Sequence, residues 1–591
     1  MLQKQRLTNW FAERLDELRL HLSRPDALLQ LSVFGLLSGL LAGGVITLFR
    51  MLVEGSQASF LPGGLAENYE ALPLWLRVAL PISGGLLIGL MFRFGAKGLY
   101  VLGVARVLER MAYHQGYLTV RGFVLQFFGA AIAIISGHSV GREGPHIYLG
   151  AASGSLLGQY LSLPNNSIRT LVGCGAAAGI AASFNTPLAG VIFALEVVMM
   201  EYTLASFIPV ILAAAGATSV SVLAFGSAPA FVVPEHQFSS LSEIPLVLLL
   251  GLIVGAVAAL FIHLLQWTAE IGKPLPFWWR TVLAGVLVGL VSLWVPQVMG
   301  IGYDTVNSAL LGEMGLSLLV LILFAKLLAT VACIGLGVPG GMIGPALFLG
   351  AVLGSAVALA VQWLMPSAEV DVGLYAMLGM GAMMGSSLQA PLAALTAMME
   401  LTHSPQIIMP GMLVIVIASL CASEIFRKES LFIAMLKANG MDYDTSPVMQ
   451  TLRRSGVASV MSKLFARPER LISREQAEAL LKQEPEWLLV QGEEQPMALL
   501  RAVDLAGYLQ AQNGEDEALE EDPEMQVDLM KIPGQRFEVA PIPLQATLQE
   551  ALEALDQQSA EALFVERMTA PGIKRIYGVL TRDQVESAYR Y

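Results

Sequence analysis

Twelve residues from Gly144–Pro145 to Gly154–Ser155 return two hundred positions later, from Gly344–Pro345 to Gly354–Ser355, with Gly, Pro, Leu, Gly, Ala, Gly and Ser in the same places. Further on, Asn185 to Ala189 matches Gln389 to Ala393, and the prolines inside them, Pro187 and Pro391, are each followed nine residues later by a glutamate, Glu196 and Glu400. Upstream, Trp75 to Leu90 resembles Trp278 to Leu290, and Leu48–Phe49 resembles Leu260–Phe261. Residues of about 29 to 225 and 244 to 425 are therefore an internal duplication. Any fold must build its functional elements twice and bring the copies together.

The medium follows from the apolar pattern. Of 591 residues, 55% are hydrophobic and 14% charged, against about 25% charged in ordinary soluble domains. Apolar segments follow one another from about Leu28 to Phe426. Leu31 to Val53 is long enough to cross a bilayer, which takes roughly 20 residues, whereas Ile147 to Leu161 and Leu188 to Met200 are too short. Short pieces interrupted by Gly and Pro predict broken or re-entrant helices that line a site. The sequence alone leaves open whether the repeats are inverted or parallel.

The stretch Ser136 to Pro145 places one carboxylate, Glu143, among the glycines Gly137, Gly141 and Gly144, inside this membrane-grade sequence. Pro145 predicts a helix start, and a helix N-terminus offers unpaired N–H groups and partial positive charge. Glycines allow close backbone approach, and a carboxylate within a membrane is a functional candidate. Glu143 is thus expected to compete with a permeating anion for those amides. His138 reads as a satisfied loop residue, and Arg142 as a structural or local electrostatic partner.

Beyond Phe426 the composition changes. Residues 440 to 591 alternate charged and apolar positions, with strand-like runs at Trp487–Val490, Ala562–Val565 and Ile576–Leu580 and helical runs at Gln476–Lys482 and Leu548–Leu555. This predicts an α/β domain with an acidic linker at about Asn513 to Met525. The net charge of −12 comes largely from this end, notably Glu515 to Glu524, and reads as solvated loop, which makes nucleic acid an unsuitable partner. Trp10, Phe11, Leu15, Leu18 and Leu22 predict a short amphipathic N-terminal helix over residues 1–28 and no cleaved signal. Basic residues before the first span (Lys4, Arg6, Arg14, Arg19, Arg24) and after the last (Arg427–Lys428, Arg453–Arg454) place both ends in the cytoplasm. Cys174, Cys333 and Cys421 lie far apart in apolar segments and read as packing thiols, with no metal spacing. Without a P-loop, a metal cluster or a nucleophile beside a base, the chain is not expected to be an enzyme, and no cofactor is required.

Three motifs carry a resemblance. Gly141–Arg142–Glu143–Gly144–Pro145 is similar to the signature bearing the external gating glutamate of the CLC family of chloride channels and chloride/proton antiporters. Pro339 to Pro345 resembles that family's second anion-binding loop, and Phe184 to Gly190 the segment between. The match spans roughly residues 30 to 437, in order. It implies an all-α polytopic membrane domain at 29–437, made of two inverted repeats with broken helices, and a homodimer with one anion pathway per subunit. After a linker at 438–456, residues 457–591 resemble a pair of cytoplasmic CBS domains, at about Val457–Leu509 and Ile532–Tyr589. Thr581 and Asp583 match the positions that contact an adenine nucleotide, while Ala502 replaces the hydroxyl residue in the first copy. A purely structural dimerisation module is the leading reading of this end, with adenine nucleotide binding as the alternative.

Carried over position by position, the resemblance makes Glu143 the gate and places the anion among Gly141, Arg142, Gly144, Gly341, Met342, Ile343, Leu102, Gly103 and Phe432. Here the sequence departs from the family. Leu102 stands where a serine usually offers its hydroxyl, and Phe432 where a tyrosine does. Ile343 replaces a phenylalanine. The internal proton glutamate of the antiporters, second in a Glu-Glu pair, is Val197 after Glu196. Losing two hydroxyl donors weakens a central anion site, each bond to a charged group contributing about 1.5 to 3 kcal/mol. Weak binding suits conduction. The expectation is therefore passive, Glu143-gated chloride transport in a plasma membrane, of the bacterial inner-membrane kind. The alternative is chloride/proton exchange in which Glu196, Glu201 or water replaces the missing proton carrier, alongside Glu143 itself. A fluoride exporter, a nucleotide-sensing membrane protein and an organic-solute carrier rank below these.

Overall fold

The computed structural model describes residues 19–23, 27–98, 100, 102–227, 231, 243–366, 370–402, 407–441, 447–492, 495–515, 526–570 and 573–588. Most of the expected N-terminal helix and of the acidic linker, the middle of the 438–456 linker, and Val101 lie outside these residues. The chain divides into two units. One comprises Leu28–Leu161 and Ile168–Asp444, and the other Ser162–Ser167 and Thr445–Tyr591 with the chain's first residues.

The described regular elements of the first unit are all helices, and they count out the duplication. Among the described residues the first half contains Leu28–Phe60, Leu74–Gly95, Gly103–Tyr113, Val120–Ile135, Glu143–Tyr160, Asn165–Phe184, Pro187–Phe193 and Leu204–Phe225. The second half repeats the series as Ile244–Gly272, Phe277–Val291, Tyr303–Leu310, Leu316–Gly335, Ile343–Leu364, Val372–Leu388, Pro391–Thr402 and Ile408–Leu420. A further helix, Leu431–Ala438, follows. Eight helices among the described residues are long and apolar enough to cross a membrane. This is a multi-pass membrane protein.

Equivalent elements of the halves meet one another. Leu74–Gly95 packs on Phe277–Val291 so closely that a Cβ on Gly85 would lie 2.3 Å from the Thr281 carbonyl oxygen, and one on Gly285 2.2 Å from that of Pro81. Neither position has room for a side chain. Such reciprocity is what a local twofold axis between the repeats produces. Without a hydrophobic drive between helices in lipid, this close backbone approach is what packing can use.

The short helices are buried rather than lipid-facing, as their length predicts. Of the Glu143–Tyr160 helix, the first ten residues are all buried. It begins two residues earlier than Pro145, with Arg142 as its N-cap. Pro145 is still in the first turn, where a missing N–H costs nothing because no intrahelical acceptor exists for it.

The second unit is α/β. Its strands form a four-stranded sheet in the order β1 (Phe465–Ala466), β3 (Trp487–Gln491), β4 (Pro496–Arg501), β6 (Arg536–Phe537). A pair joins β2 (Leu471–Ser473) to β5 (Gln526–Asp528), and a three-stranded sheet runs β7 (Val539–Pro543), β8 (Ala562–Ala570), β9 (Ile573–Thr581). The strand–helix–strand–strand–helix order occurs twice, and the first helix of each copy starts with a capping box, Ser473 with Gln476 and Thr547 with Glu550. The α/β character expected of this end is present, with a domain core of Leu488, Val490, Leu500 and Leu505 in the first copy and Leu548, Leu563, Val565 and Leu580 in the second.

Candidate functional site

The loops before the two proline-bearing helices lie side by side. Gly141 N–H donates to the Gly341 carbonyl at 2.8 Å, and Gly341 N–H returns the bond to Gly141 at 2.7 Å. Together they form a one-rung antiparallel bridge across the local twofold. The bridge engages the amides of Gly141 and Gly341 with each other. Gly103 N–H is engaged as well, donating to the buried Gln126 Oε1 at 2.8 Å.

What remains for an anion is the first turn of each helix, whose N–H groups have no intrahelical acceptor. One such group is occupied. Glu143, fully buried, reaches across the twofold so that its Oε2 accepts from Gly344 N–H at 3.0 Å, in the first turn of Ile343–Leu364. Its Oε1 accepts from the Tyr303 hydroxyl. A carboxylate thus sits on a helix N-terminus of the opposite repeat, a place where partial positive charge favours an anion.

Arg142 does not pair with Glu143. Its Nη1 donates to Glu54 Oε1 at 3.0 Å, Glu54 also takes Arg50 Nε at 3.2 Å, and the Arg142 guanidinium lies 5.2 Å from the Tyr303 ring centroid. The expected structural or electrostatic role fits this placement better than direct anion contact. His138 is fully buried, with Nδ1 2.9 Å from Ser136 Oγ, while its Nε2 has no partner among the described residues.

A cavity of about 100 Å³ lies beside the Glu143 carboxylate's helix start and is lined by Leu102, Gly103, Gly144, Gly341, Met342 and Phe432, six of the nine expected anion-site residues. Glu143 is not among its lining residues, and neither are Gly141, Arg142 or Ile343. Phe432 is buried on the Leu431–Ala438 helix, where its ring meets Phe193 edge-on with centroids 6.4 Å apart. Leu102 caps the Gly103–Tyr113 helix without a side-chain hydrogen bond. Among the described residues the cavity's charged member is Arg280, unmarked by any motif, which donates Nε to the Leu275 carbonyl at 2.8 Å.

Of the proton-pathway candidates, Glu143 lies in this site, and Glu196 and Glu201 are elsewhere. Glu196 accepts from the backbone N–H groups of Leu392 at 3.2 Å and Ala393 at 2.7 Å, and its repeat mate Glu400 accepts from Leu188 at 2.9 Å and Ala189 at 2.7 Å. Both are helix-end caps. Glu196 and Val197 also line a second cavity with Gln389, Arg427, Lys428 and Ser430. Glu201 takes a hydrogen bond from Ser206 Oγ. In the α/β unit, Thr581 Oγ1 accepts from Gln584 N–H at 3.4 Å as the cap of the Arg582–Ser587 helix, with Asp583 in its first turn. The three cysteines are free and buried.

Sequence reasoning missed Tyr303 and Lys326. Tyr303 lies 160 positions from Glu143, and no spacing rule links them. Lys326 carried a visible signal, a lone lysine in the apolar run Leu316–Gly335.

Known proteins resemble the chain in the same region. The family model described as voltage gated chloride channel matches residues 84–423. A putative chloride channel protein ClcB-like from Ralstonia nicotianae is 36% identical over 356 residues, 59% of this chain and 83% of that protein. An H(+)/Cl(-) exchange transporter ClcA from Vibrio cholerae is 30% identical over 417 residues, 67% of this chain and 86% of the relative. Among solved structures, a slow cyanobacterial Cl-/H+ antiporter superposes with a TM-score of 0.61 at 22% identity, covering 70% of this chain and 98% of its own. A eukaryotic CLC transporter gives 0.61 at 18% identity and covers 94% of this chain and 98% of its own, which extends the likeness of fold.

Proposed function

The chain belongs to the voltage-gated chloride channel family, and from that premise we propose that it carries chloride passively across a membrane along a pathway gated by Glu143. One observation carries this reading: the Glu143 carboxylate occupies the Gly344 amide at 3.0 Å, one residue from Gly144 on the cavity wall. Ionised, it holds an anion's place. Protonated or displaced, it yields that place to chloride, so acid favours opening.

Conduction is favoured over exchange by what the cavity presents. Leu102 and Phe432 give chloride apolar walls where hydroxyls would hold it, and weak binding eases exit. Val197 has no proton to carry. Purified protein in chloride-loaded liposomes, with chloride efflux and external pH recorded together, tests the reading. Fast efflux without proton movement is expected, and Glu143→Gln is expected to conduct persistently at every pH. Proton uptake against its gradient would replace conduction by exchange; unchanged acid dependence in Glu143→Gln would remove the gate.

Exchange is the second reading because the Vibrio relatives bear that name. It needs a substitute proton carrier, and the two oxygens of Glu196 are already engaged by backbone amides.

The rest of the assignment follows the family. The protein works as a homodimer in a bacterial inner membrane, both termini cytoplasmic, without a cofactor and without bond-making catalysis. The α/β unit is a CBS-like pair. Its Thr581 hydroxyl oxygen serves as a helix cap, which favours a structural module over an adenine nucleotide site at Thr581 and Asp583.

A further inference from the structure

Tyr303 opens the Tyr303–Leu310 helix, which the chain enters through Gly302 at φ 84°. Behind it, Lys326 is fully buried, and its Nζ donates to three carbonyls of the preceding loop: Val298 at 3.1 Å, Gly300 at 3.0 Å and Ile301 at 3.3 Å. The ammonium also lies 4.6 Å from the Phe348 ring centroid. A buried cation is tolerated only when its donors are satisfied, so its three bonds tie the loop to the Leu316–Gly335 helix. Position 302 has no room for a side chain, because a Cβ there would stand 2.7 Å from the Phe348 ring and 3.4 Å from Lys326 Nζ. From the other side, Tyr303 N–H donates to Glu67 Oε2 at 3.1 Å. The ring packs on Phe231 with centroids 5.0 Å apart. Backbone, ring and loop are all fixed, and the hydroxyl at their end donates to Glu143.

We propose that Tyr303 is a positioning residue for the gate, a hydroxyl latch that holds the Glu143 carboxylate on the Gly344 amide, aimed by the loop that Lys326 anchors. The proposal rests on the gate reading above and deepens it. The hydroxyl absent from Leu102 and Phe432, where it would hold chloride, is present at Tyr303, where it holds the gate. The pathway therefore favours the closed state over the bound ion. Removing the hydroxyl leaves the carboxylate with the Gly344 amide as its hydrogen-bond donor among the described residues, and less acid then suffices to release it.

The charged groups around the latch are Arg142 over its ring, Glu67 on its backbone, Asp304 next in the chain and Lys326 behind Gly302. Glu54 and Arg50 act through Arg142. Tyr303→Phe keeps all of them and the ring.

The test is chloride efflux from liposomes holding the full-length protein, measured against external pH for the wild type, Tyr303→Phe, Glu143→Gln and the double variant. Tyr303→Phe is expected to open at a pH about one unit higher and to pass about tenfold more chloride near neutrality, the scale of one hydrogen bond to a charged group. The double variant is expected to match Glu143→Gln within about twofold, because the latch has nothing left to hold. A wild-type pH profile in Tyr303→Phe beside a flat profile in Glu143→Gln overturns the latch and leaves the gate standing. An unaltered acid dependence in Glu143→Gln overturns both. Should Tyr303→Phe fail to fold, infrared difference spectra of the wild type on acidification decide: a tyrosine C–O band that shifts together with the carboxyl band, both absent in Glu143→Gln, supports the latch. A carboxyl band that changes alone overturns it.

Discussion

Glu196 and Glu400, equivalent residues of the two repeats, each cap the proline-started helix of the other: Glu196 binds the Leu392 and Ala393 amides, and Glu400 those of Leu188 and Ala189. The exchange is symmetric in residue, atom and target. It explains why both copies of the duplication keep a glutamate nine residues after the proline: each helix start needs an acceptor, and the opposite repeat supplies it.

The symmetry yields a prediction that separates structure from proton transport. Glu196→Ala and Glu400→Ala each remove an acceptor for two N–H groups at a partly exposed site, so each should cost roughly 1 to 3 kcal/mol. Thermal unfolding of the detergent-solubilised protein should show the two variants losing similar stability, with chloride and proton fluxes per folded protein unchanged in both. A change in proton movement confined to Glu196→Ala would show that Glu196 carries protons as well as capping a helix.

The duplication, the membrane class and the buried carboxylate of the candidate site were legible because each is written locally, in matching motifs or in a charge among glycines. The state of the amides was not. Gly141, Gly341 and Gly103 look alike as donors in sequence, yet two of them pair across 200 positions and the third meets Gln126. Tyr303 and Lys326 escaped for the same reason, since a latch made between distant segments leaves no period. Helix starts were legible to within two residues, Glu143 against the expected Pro145, because proline fixes a first turn without saying which position in it.

In the α/β unit, Arg470 grips Asp528 with two bonds, Nε to Oδ1 at 3.1 Å and Nη2 to Oδ2 at 3.0 Å, between the paired strands β2 and β5. The Arg470 hydrogen bond holds the Asp528 carboxyl below its ordinary value. A depressed carboxyl stabilises the fold above the unfolded-state value of about 3.9 and loses that contribution as pH falls through the lower, folded one. Amide exchange of Leu471 to Ser473 should therefore lose protection on acidification below about pH 4 in the wild type. Asp528→Asn should already show the reduced protection at neutral pH and change less on acidification. The pair is exposed, so the effect is expected to stay local to these strands. Equal acid sensitivity in the two proteins would show that other carboxylates govern this edge.

The cavity itself can be re-equipped. Leu102 and Phe432 both line it, and neither offers a donor. Leu102→Ser replaces an apolar side chain with a smaller hydroxyl one at a helix cap whose own side chain makes no bond, so the backbone has no reason to move. Phe432→Tyr adds one oxygen to a ring buried at 1% exposure, where the hydroxyl must project into the cavity to be satisfied. Each added donor should tighten chloride binding by about tenfold or more, as a hydrogen bond to an anion does. Tighter binding slows departure, so flux through an open Glu143→Gln background should fall as affinity rises. Calorimetric chloride titration and efflux from the same preparations measure the two together. Rising affinity with falling flux places chloride between Leu102 and Phe432. Affinity unchanged by both hydroxyls would put the ion closer to the helix amides and leave this cavity a vestibule.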